Sequence, residues 1–247
     1  MTSADEMHGG CTIKRMSSQT PQSDCGDFSV GLRVWRLAEF VLVFVAPPAL
    51  YAWGIVRAML IPAIGVMALV SLLVLRRDRG FAQGAVWNAK DLWRRLGSGG
   101  IMFLAAGMMM VVCVAWFLPD RLWALPRDRP VLWAAVMVLY PLLSVYPQEL
   151  IYRAFFFRRY APLFGAGWAM VLMSAAAFSY GHLIFGNWIA VGLTFLGGLL
   201  FAWRYRRTRS LLVTSLEHAL YGQLIFTVGL GEFFYYGTMN LAETALR

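Results

Sequence analysis

Long blocks of apolar residues limit what this chain can fold into more than any other feature of its sequence. A run of about 18 or more apolar residues is long enough to cross a bilayer as an α-helix. Only 14% of the residues are charged, whereas a soluble domain carries about 25%. We therefore predict an all-α fold, a polytopic transmembrane helical bundle of about seven to eight helices. The apolar blocks span residues 37–56, 58–75, 101–118, 131–157, 165–185, 187–203 and 211–230.

Prolines predict that two of these blocks do not form straight helices. Pro47 and Pro48 lie inside the first block, where a proline removes a backbone donor and kinks or splits a helix. The fourth block is too long for one straight span and contains Pro141 and Pro147. It is expected to form either one tilted, kinked helix or two separate pieces.

Composition divides the chain into three parts. Residues 1–32 are polar, with many Ser, Thr, Gly and Asp, which predicts a disordered N-terminal tail. This tail lacks the apolar core of a cleavable signal peptide. Residues 33–128 are predicted to form N-terminal transmembrane helices, and residues 129–247 to form a core that carries the motifs described below.

The net charge of +9 is explained by membrane topology. Basic residues occur in short runs between the apolar blocks, such as 76–95 and 204–209. Because cytoplasmic loops are enriched in Lys and Arg, we predict a cytoplasmic N-terminus, with the C-terminus outside if there are seven spans and inside if there are eight. The expected location is a bacterial inner (plasma) membrane, with the lipid bilayer as a partner and no nucleic acid.

A small set of ionisable and amide side chains lies inside the apolar blocks. A charged group there costs about 2.5–3.5 kcal/mol or more, which makes such residues functional candidates. Glu149 and Arg153 are four residues apart on one helix face, and a structural ion pair would by itself explain both. Carboxylates and imidazoles that converge in a protected pocket can activate water, stabilise an oxyanion or bind a divalent metal ion. The candidates are Gln148, Glu149, Arg153, His182, Glu217 and His218.

Depth along the helices predicts which candidates meet. Glu149 and His218 each lie nine residues from a basic residue on the predicted cytoplasmic side, about 14 Å along a helix. These two side chains are therefore expected at similar depth. His182 lies near the outer end of the fifth block, so it can join them only if that block is shifted or broken near Gly181, or if the site is a cavity that extends over more than one depth.

Three short motifs occur in order within residues 130–230. Residues 147–153 read Pro-Gln-Glu-Leu-Ile-Tyr-Arg, residues 178–182 read Phe-Ser-Tyr-Gly-His, and residues 217–222 read Glu-His-Ala-Leu-Tyr-Gly. Their order and spacing resemble the CPBP family of intramembrane proteases (CAAX proteases and bacteriocin-processing enzymes). Helices of that family carry Glu-Glu-x-x-x-Arg, Phe-x-x-x-His and His-x-x-x-Asn motifs. The resemblance implies an intramembrane endopeptidase that cleaves a membrane-anchored protein or peptide.

The resemblance also implies roles for the candidate residues. A carboxylate would activate water, while the histidines hold that water or the oxyanion, in a glutamic-type or a metal-dependent reaction. In the metal-dependent case the three catalytic residues would bind one divalent ion such as zinc, although the sequence lacks a ligand motif such as HExxH. The residues concerned are Glu149, His182 and His218 as catalytic groups, supported by Gln148, Arg153 and Glu217.

Two positions depart from the family pattern. Gln148 replaces the first Glu of the pair, and because an amide is no general base, Glu149 or Glu217 would have to take that role. Gly222 stands where the family has Asn, which removes an amide donor from the oxyanion region unless Gln148 replaces it. These differences favour an alternative function, a catalytically impaired membrane scaffold or immunity-type protein. A third function, a small-solute or proton-coupled transporter, fits the intramembrane charges, but the sequence shows no internal repeat.

Overall fold

Helices make up all of the regular structure in the described part of the chain. The structure is a computed structural model, and it describes residues 24–54, 60–78, 81 and 92–234. The all-α fold predicted from the apolar blocks is confirmed. The longer helices are α1 (Asp24–Phe40), α2 (Leu60–Arg77), α3 (Leu92–Phe117), α4 (Pro130–Arg159), α5 (Trp168–Gly181), α6 (Trp188–Thr208) and α7 (Leu211–Val228). The short helical segments are Val41–Val45, Ala46–Ala52, Pro119–Arg121, Ala124–Asp128, Ala161–Phe164, His182–Phe185 and Gly231–Phe234.

Six helices in the described ranges are long and apolar enough to cross a membrane. Each of them corresponds to one of the predicted apolar blocks that follow the first. The chain is therefore an integral membrane protein with several spans, as the sequence predicted. The six candidate spans are Leu60–Arg77, Gly99–Phe117, Pro130–Arg159, Trp168–Phe185, Trp188–Thr208 and Leu211–Val228.

The first predicted block, 37–56, is not among these spans. It begins near the end of α1, and the helical path continues through a π-helical turn, Val41–Val45, as far as Ala52. Beyond the charged Glu39 this helix is shorter than the roughly 20 residues that a span needs. The described part of the chain thus contains six candidate spans, against the seven to eight expected. Residues 55–59, which include the end of the block, lie outside the described residues.

The predicted N-terminal tail, residues 1–32, is described only in part. Residues 1–23 lie outside the described residues, as do residues 235–247 at the other end. Helix α1 begins at Asp24, so the last part of the predicted tail is helical. The sequence of α1 contains no proline, the residue that most strongly breaks a helix interior.

The fourth block forms one continuous helix, α4, rather than two pieces. Its path contains two π-helical segments, Pro141–Val145 and Leu150–Phe155. The first starts at a proline, which cannot donate the regular helical hydrogen bond, and the second follows Glu149 directly. Such π-helical turns inside α-helices are frequent at functional sites. The functional candidates of this block lie at and between the two irregular segments.

Tight turns place the last three helices side by side. Gly186 has a φ of +67°, a left-handed conformation that glycine adopts readily. Asn187 then caps α6 by accepting a hydrogen bond from the backbone N–H of Ala190 at 2.8 Å. On α6, Gly198 lies so close to α5 that an added Cβ would be 3.1 Å from Ala175 Cα. Small residues allow such close contacts between helices in membranes.

The two ends of α4 have different surroundings. Near its C-terminus the helix joins an aromatic cluster, in which the rings of Phe44 and Phe156 contact edge to face at 5.2 Å. There Arg159 donates two hydrogen bonds to Glu39, at 2.8 and 2.6 Å, and these join α4 to α1. Near its N-terminus α4 borders a cavity instead. One end of the bundle is therefore densely packed and the other leaves room for a ligand.

Candidate active site

A cavity of about 1160 Å³ lies between the helices beside the N-terminal part of α4. Most of its wall is apolar, and among the described residues no carboxylate lines it. Concave, mostly apolar sites with a few polar groups are typical of ligand binding. The polar side chains that carry the argument below are Tyr140, Ser144, Gln148, His182 and His218.

His218 is held at the cavity wall by a hydrogen bond at Nδ1 and by a stacked aromatic ring. It lies on α7 and is only 6% exposed. Its Nδ1 is 3.0 Å from Oε1 of Glu149. Because an ionised carboxylate only accepts hydrogen bonds, Nδ1 carries a proton, and in the neutral imidazole Nε2 is then the unprotonated acceptor. The ring of Phe201 stacks on the imidazole at 4.6 Å between centroids and sets its plane. The expected meeting of Glu149 and His218 is confirmed.

Glu149 lies behind the cavity wall rather than in it. Its side chain is completely buried, as is that of Arg153, and Arg153 Nε is 3.4 Å from Glu149 Oε2. Arg153 also donates to Oγ of Ser174 at 2.8 Å. The predicted ion pair is therefore present, and it gives the buried carboxylate the counter-charge that it needs. Glu149 reaches the cavity through His218, and not directly as the sequence-based hypothesis of a water-activating carboxylate requires.

His182 marks the end of α5. The helix stops at Gly181, and the chain continues as a 3₁₀ turn. Nδ1 of His182 donates to the carbonyl of Phe178 at 2.7 Å, so Nε2 is left as an acceptor. The ring of Phe178 contacts both His182 and His218, at 4.6 and 5.5 Å between centroids. Of the alternatives that the sequence left open, the structure shows a break of the helix at Gly181, and this break brings the two histidines to the same aromatic ring.

Gln148 places an amide at the cavity wall. The side chain is 9% exposed, and its Nε2 donates to Oγ of Ser144 at 2.8 Å. Oε1 of Gln148 has no hydrogen-bond partner among the described residues. A buried acceptor without a partner costs about 1–3 kcal/mol. Oε1 is therefore an unsatisfied acceptor that is almost fully shielded by the surrounding side chains.

Glu217, predicted to support the site, is held away from the cavity. Its carboxylate accepts two hydrogen bonds from Arg204, at 2.9 and 2.5 Å, and it does not belong to the cavity wall. A Cβ added at Gly99 would lie 3.0 Å from Glu217 Oε1, so α3 packs directly against this pair. The arrangement indicates a structural ion pair that joins α6 to α7.

Three side chains that contact the predicted residues were not themselves predicted from the sequence. Ser174 and Arg204 each hold a buried charged residue, and the hydroxyl of Tyr140 lies 3.3 Å from Nε2 of His218. Arg204 has a recognisable signal, because it and Glu217 lie at similar distances from the turn between α6 and α7. For Ser174 and Tyr140 the sequence gives no signal, because one polar side chain in an apolar helix does not show which way it points.

The three residues suggested as metal ligands do not form a ligand set. In the ranges that the structure describes, no group of three or more His, Cys, Asp or Glu side chains is placed to hold a metal ion. Glu149 turns one oxygen to His218 and the other to Arg153. His182 uses its Nδ1 for the carbonyl of Phe178. A metal site needs several such donor atoms free and directed at one point, which this arrangement of the three residues does not offer.

A comparison with known families agrees with this geometry. Residues 130–223 match the family model described as Type II CAAX prenyl endopeptidase Rce1-like. The chain carries an Rce1-like domain. This domain runs from the start of α4 into α7, and three of its helices contribute Gln148, His182 and His218 to the wall of one cavity. Neither a curated protein nor a solved structure matches the chain.

The Rce1-like domain is consistent with the CPBP family, which the three motifs resembled. It supports the general class of intramembrane endopeptidases for this integral membrane protein. The domain leaves out α1 to α3.

Proposed function

We propose that this protein is an endopeptidase that hydrolyses a peptide bond of a membrane-associated substrate inside the apolar cavity. The observation that carries this proposal is the hydrogen bond between Nδ1 of His218 and the buried Glu149, which leaves Nε2 as a base at the cavity wall. A base that a carboxylate orients, at the wall of an apolar cavity, suits general base catalysis. The Rce1-like domain supports the same class of reaction.

His218 is the general base of this reaction. The attacking water lies in the cavity and donates a hydrogen bond to Nε2 of His218, which lines the cavity wall. As the water oxygen bonds to the carbonyl carbon, Nε2 takes a proton, and Glu149 stabilises the resulting imidazolium. That proton then passes to the leaving amine as the C–N bond breaks. Glu149 is a positioning residue, and this replaces the direct role that the motif resemblance gave it.

The cavity wall favours a substrate with a lipid or a transmembrane anchor. The wall is mostly apolar, and the volume of about 1160 Å³ exceeds the upper end of common ligand pockets, which is roughly 1,000 Å³. The matching family is described as a CAAX prenyl endopeptidase. We therefore propose a peptide that carries a prenyl group or a comparable membrane anchor, with the anchor against the apolar wall.

Basic residues at one end of the bundle support the proposed orientation. Asp78, just after α2, accepts two hydrogen bonds from Arg158 of α4, at 2.7 and 2.9 Å, so these helix ends lie together. Because cytoplasmic ends of membrane proteins are rich in Arg and Lys, we propose that this end faces the cytoplasm of a bacterial cell. The basic residues in the last turns of α2, α4 and α6 are Arg76, Arg77, Arg158, Arg159, Arg206 and Arg207.

Cleavage by the protein reconstituted in liposomes tests the proposed function. Three probes are offered: a farnesylated peptide that ends in a CAAX sequence, the same peptide without the lipid, and a peptide with a transmembrane anchor. We expect the wild type to cleave at least one of them, as seen by mass spectrometry, and His218→Gln to cleave none. Glu217→Gln is the matched control, because Glu217 is a buried neighbour outside the cavity wall. Full activity of His218→Gln would contradict the proposal.

One observation favours a second, non-catalytic function. Gln148 is an amide, and no carboxylate lines the described cavity wall, so the protein could bind a membrane peptide without cleaving it. In that case the wild type is inactive and Gln148→Glu creates cleavage. Gln223→Glu is the matched control, because Gln223 lies on α7 outside the wall and donates to the carbonyl of Met137. If the wild type cleaves the peptide and Gln148→Glu does not raise the rate, the result supports the endopeptidase and contradicts the non-catalytic function.

A further inference from the structure

The space beside Gly222 is filled by the side chain of Tyr140. Gly222 lies on α7, one turn after His218, and both Gly222 and Tyr140 line the cavity. A Cβ added at Gly222 would overlap the hydroxyl and the ring of Tyr140. The ring of Tyr140 also contacts Phe226 edge to face at 5.3 Å. The absence of a side chain at Gly222 is therefore what allows the tyrosine hydroxyl to reach its position.

The hydroxyl of Tyr140 ends a chain of hydrogen bonds that starts at a buried charge. Glu149 holds Nδ1 of His218 at 3.0 Å, and the Tyr140 hydroxyl lies 3.3 Å from Nε2. Because Nε2 is the acceptor, the tyrosine hydroxyl is the donor. Hydrogen bonds from hydroxyl groups are usually about 2.7–2.8 Å long, so this one is weak. A water molecule can replace the hydroxyl at Nε2 at little cost.

We propose that Tyr140 is a catalytic residue that donates a hydrogen bond to the oxyanion formed during hydrolysis. This inference rests on the proposed function. Water takes the place of the hydroxyl at Nε2 and frees the tyrosine O–H towards the cavity. As the water oxygen bonds to the carbonyl carbon, the π electrons move to the carbonyl oxygen and the water proton moves to His218. The O–H of Tyr140 donates to that oxygen and keeps its proton.

Two other side chains at the cavity wall already use a donor within the protein. The amide of Gln148 donates to Ser144, and Nδ1–H of His182 donates to the carbonyl of Phe178. The hydroxyl of Tyr140 is held only by the weak bond to Nε2 of His218 among the contacts described. Of these three donors, the tyrosine hydroxyl is the one that lies beside the base, where a preorganised donor can stabilise an oxyanion.

Tyr140→Phe tests the inference, because it removes the hydroxyl and keeps the ring beside Phe226. We expect kcat to fall about 10²–10³-fold, the usual loss when one oxyanion donor is removed. KM should change little, because the donor acts in the transition state and not in the bound substrate. The measurement is the cleavage rate of the peptide that the wild type accepts, over a range of concentrations. An unchanged unfolding temperature would exclude a purely structural loss.

Gly222→Ala supplies an independent test of the same contact. The added methyl group displaces the tyrosine, so kcat should fall although the hydroxyl is still present. The double variant Tyr140→Phe/Gly222→Ala should be no slower than Tyr140→Phe, because both changes remove one interaction. Gly192→Ala on α6 is the matched control, since a Cβ there meets nothing within 4 Å.

The outcomes separate this inference from the proposed function. Wild-type kcat in Tyr140→Phe, together with an inactive His218→Gln, overturns the role of Tyr140 and leaves the endopeptidase intact. A rise in KM without a fall in kcat in Tyr140→Phe also overturns the role of Tyr140. So does a double variant in which the kcat losses of the two single variants multiply. If the wild type cleaves none of the three peptides, the proposed function and this inference are both wrong.

Discussion

The two halves of α4 differ in a way that hydrophobicity would not suggest. From Pro130 to Ser144 the sequence is almost entirely apolar, yet its side chains are mostly exposed or half-buried. From Tyr146 to Arg159 the sequence contains several charged and polar residues, yet most of its side chains are buried. The reason is that lipid accepts apolar side chains, whereas charges in the membrane must face protein partners. In α4 the half with the polar residues is the half that is buried, and the candidate site lies where this half begins.

The largest expected effect comes from Glu149→Gln, which removes the charge where the buried half of α4 begins. A neutral amide cannot stabilise the imidazolium of His218, and its NH₂ group can impose the wrong tautomer. We expect kcat to fall by about 10⁴-fold, as when the carboxylate of a Ser-His-Asp triad becomes an amide. The measurement is the rate of peptide cleavage at saturating substrate.

Glu217→Gln is the control for this experiment, because Glu217 is also buried but pairs with Arg204 outside the cavity wall. Its kcat should stay close to that of the wild type. Equal losses in both variants would mean that any buried carboxylate near His218 matters, and that the chain from Glu149 to His218 has no special role.

A second test compares two arginines of the buried half. Arg153→Met leaves Glu149 buried without its counter-charge, which should lower the free energy of unfolding by about 3–5 kcal/mol. Arg158→Met removes an exposed pair with Asp78, whose side chains are 46% and 35% exposed, and should cost at most about 1 kcal/mol. Denaturant unfolding in detergent micelles measures both. Similar losses of unfolding free energy in the two variants would mean that the pair of Arg153 and the pair of Arg158 are equally shielded from water, against the exposures given above.

A third test compares two leucines seven residues apart on α4. Leu150 is 3% exposed, whereas Leu143 is 45% exposed. Leu150→Ala should cost about 2–5 kcal/mol of stability, because it leaves a void in a packed region. Leu143→Ala should stay within about 0.5 kcal/mol of the wild type, as exposed substitutions usually do. A larger cost at Leu143 would mean that the first half of α4 is more tightly packed than the structure shows.

The smallest expected effect is that of a chelator. Because the described residues form no ligand set for a metal ion, cleavage should be unchanged after incubation with a strong zinc chelator and dialysis. Loss of activity, restored by zinc alone, would contradict this expectation. It would also mean that Glu149 and the two histidines rearrange when substrate binds.

Several features of the fold and the site could be predicted because they depend on local sequence. Apolar length predicted the six spans from α2 to α7, and Pro141 predicted the irregular path of α4. Equal depth from the basic side predicted the contact between Glu149 and His218, since a helix rises by about 1.5 Å per residue. The first block, 37–56, is not among the candidate spans of the described residues, and its end lies outside them.

The sequence by itself determined which residues enter the membrane and at what depth, because these depend on hydrophobicity and helical rise along one element. Only the tertiary structure decided that Gln148 faces the cavity while Glu149, its neighbour, lies behind the wall. Successive residues of a helix point about 100° apart, so their roles depend on which way the helix is turned by its partners. The same holds for Tyr140 and Gly222, whose contact depends on the distance between α4 and α7 and on no pattern within either helix.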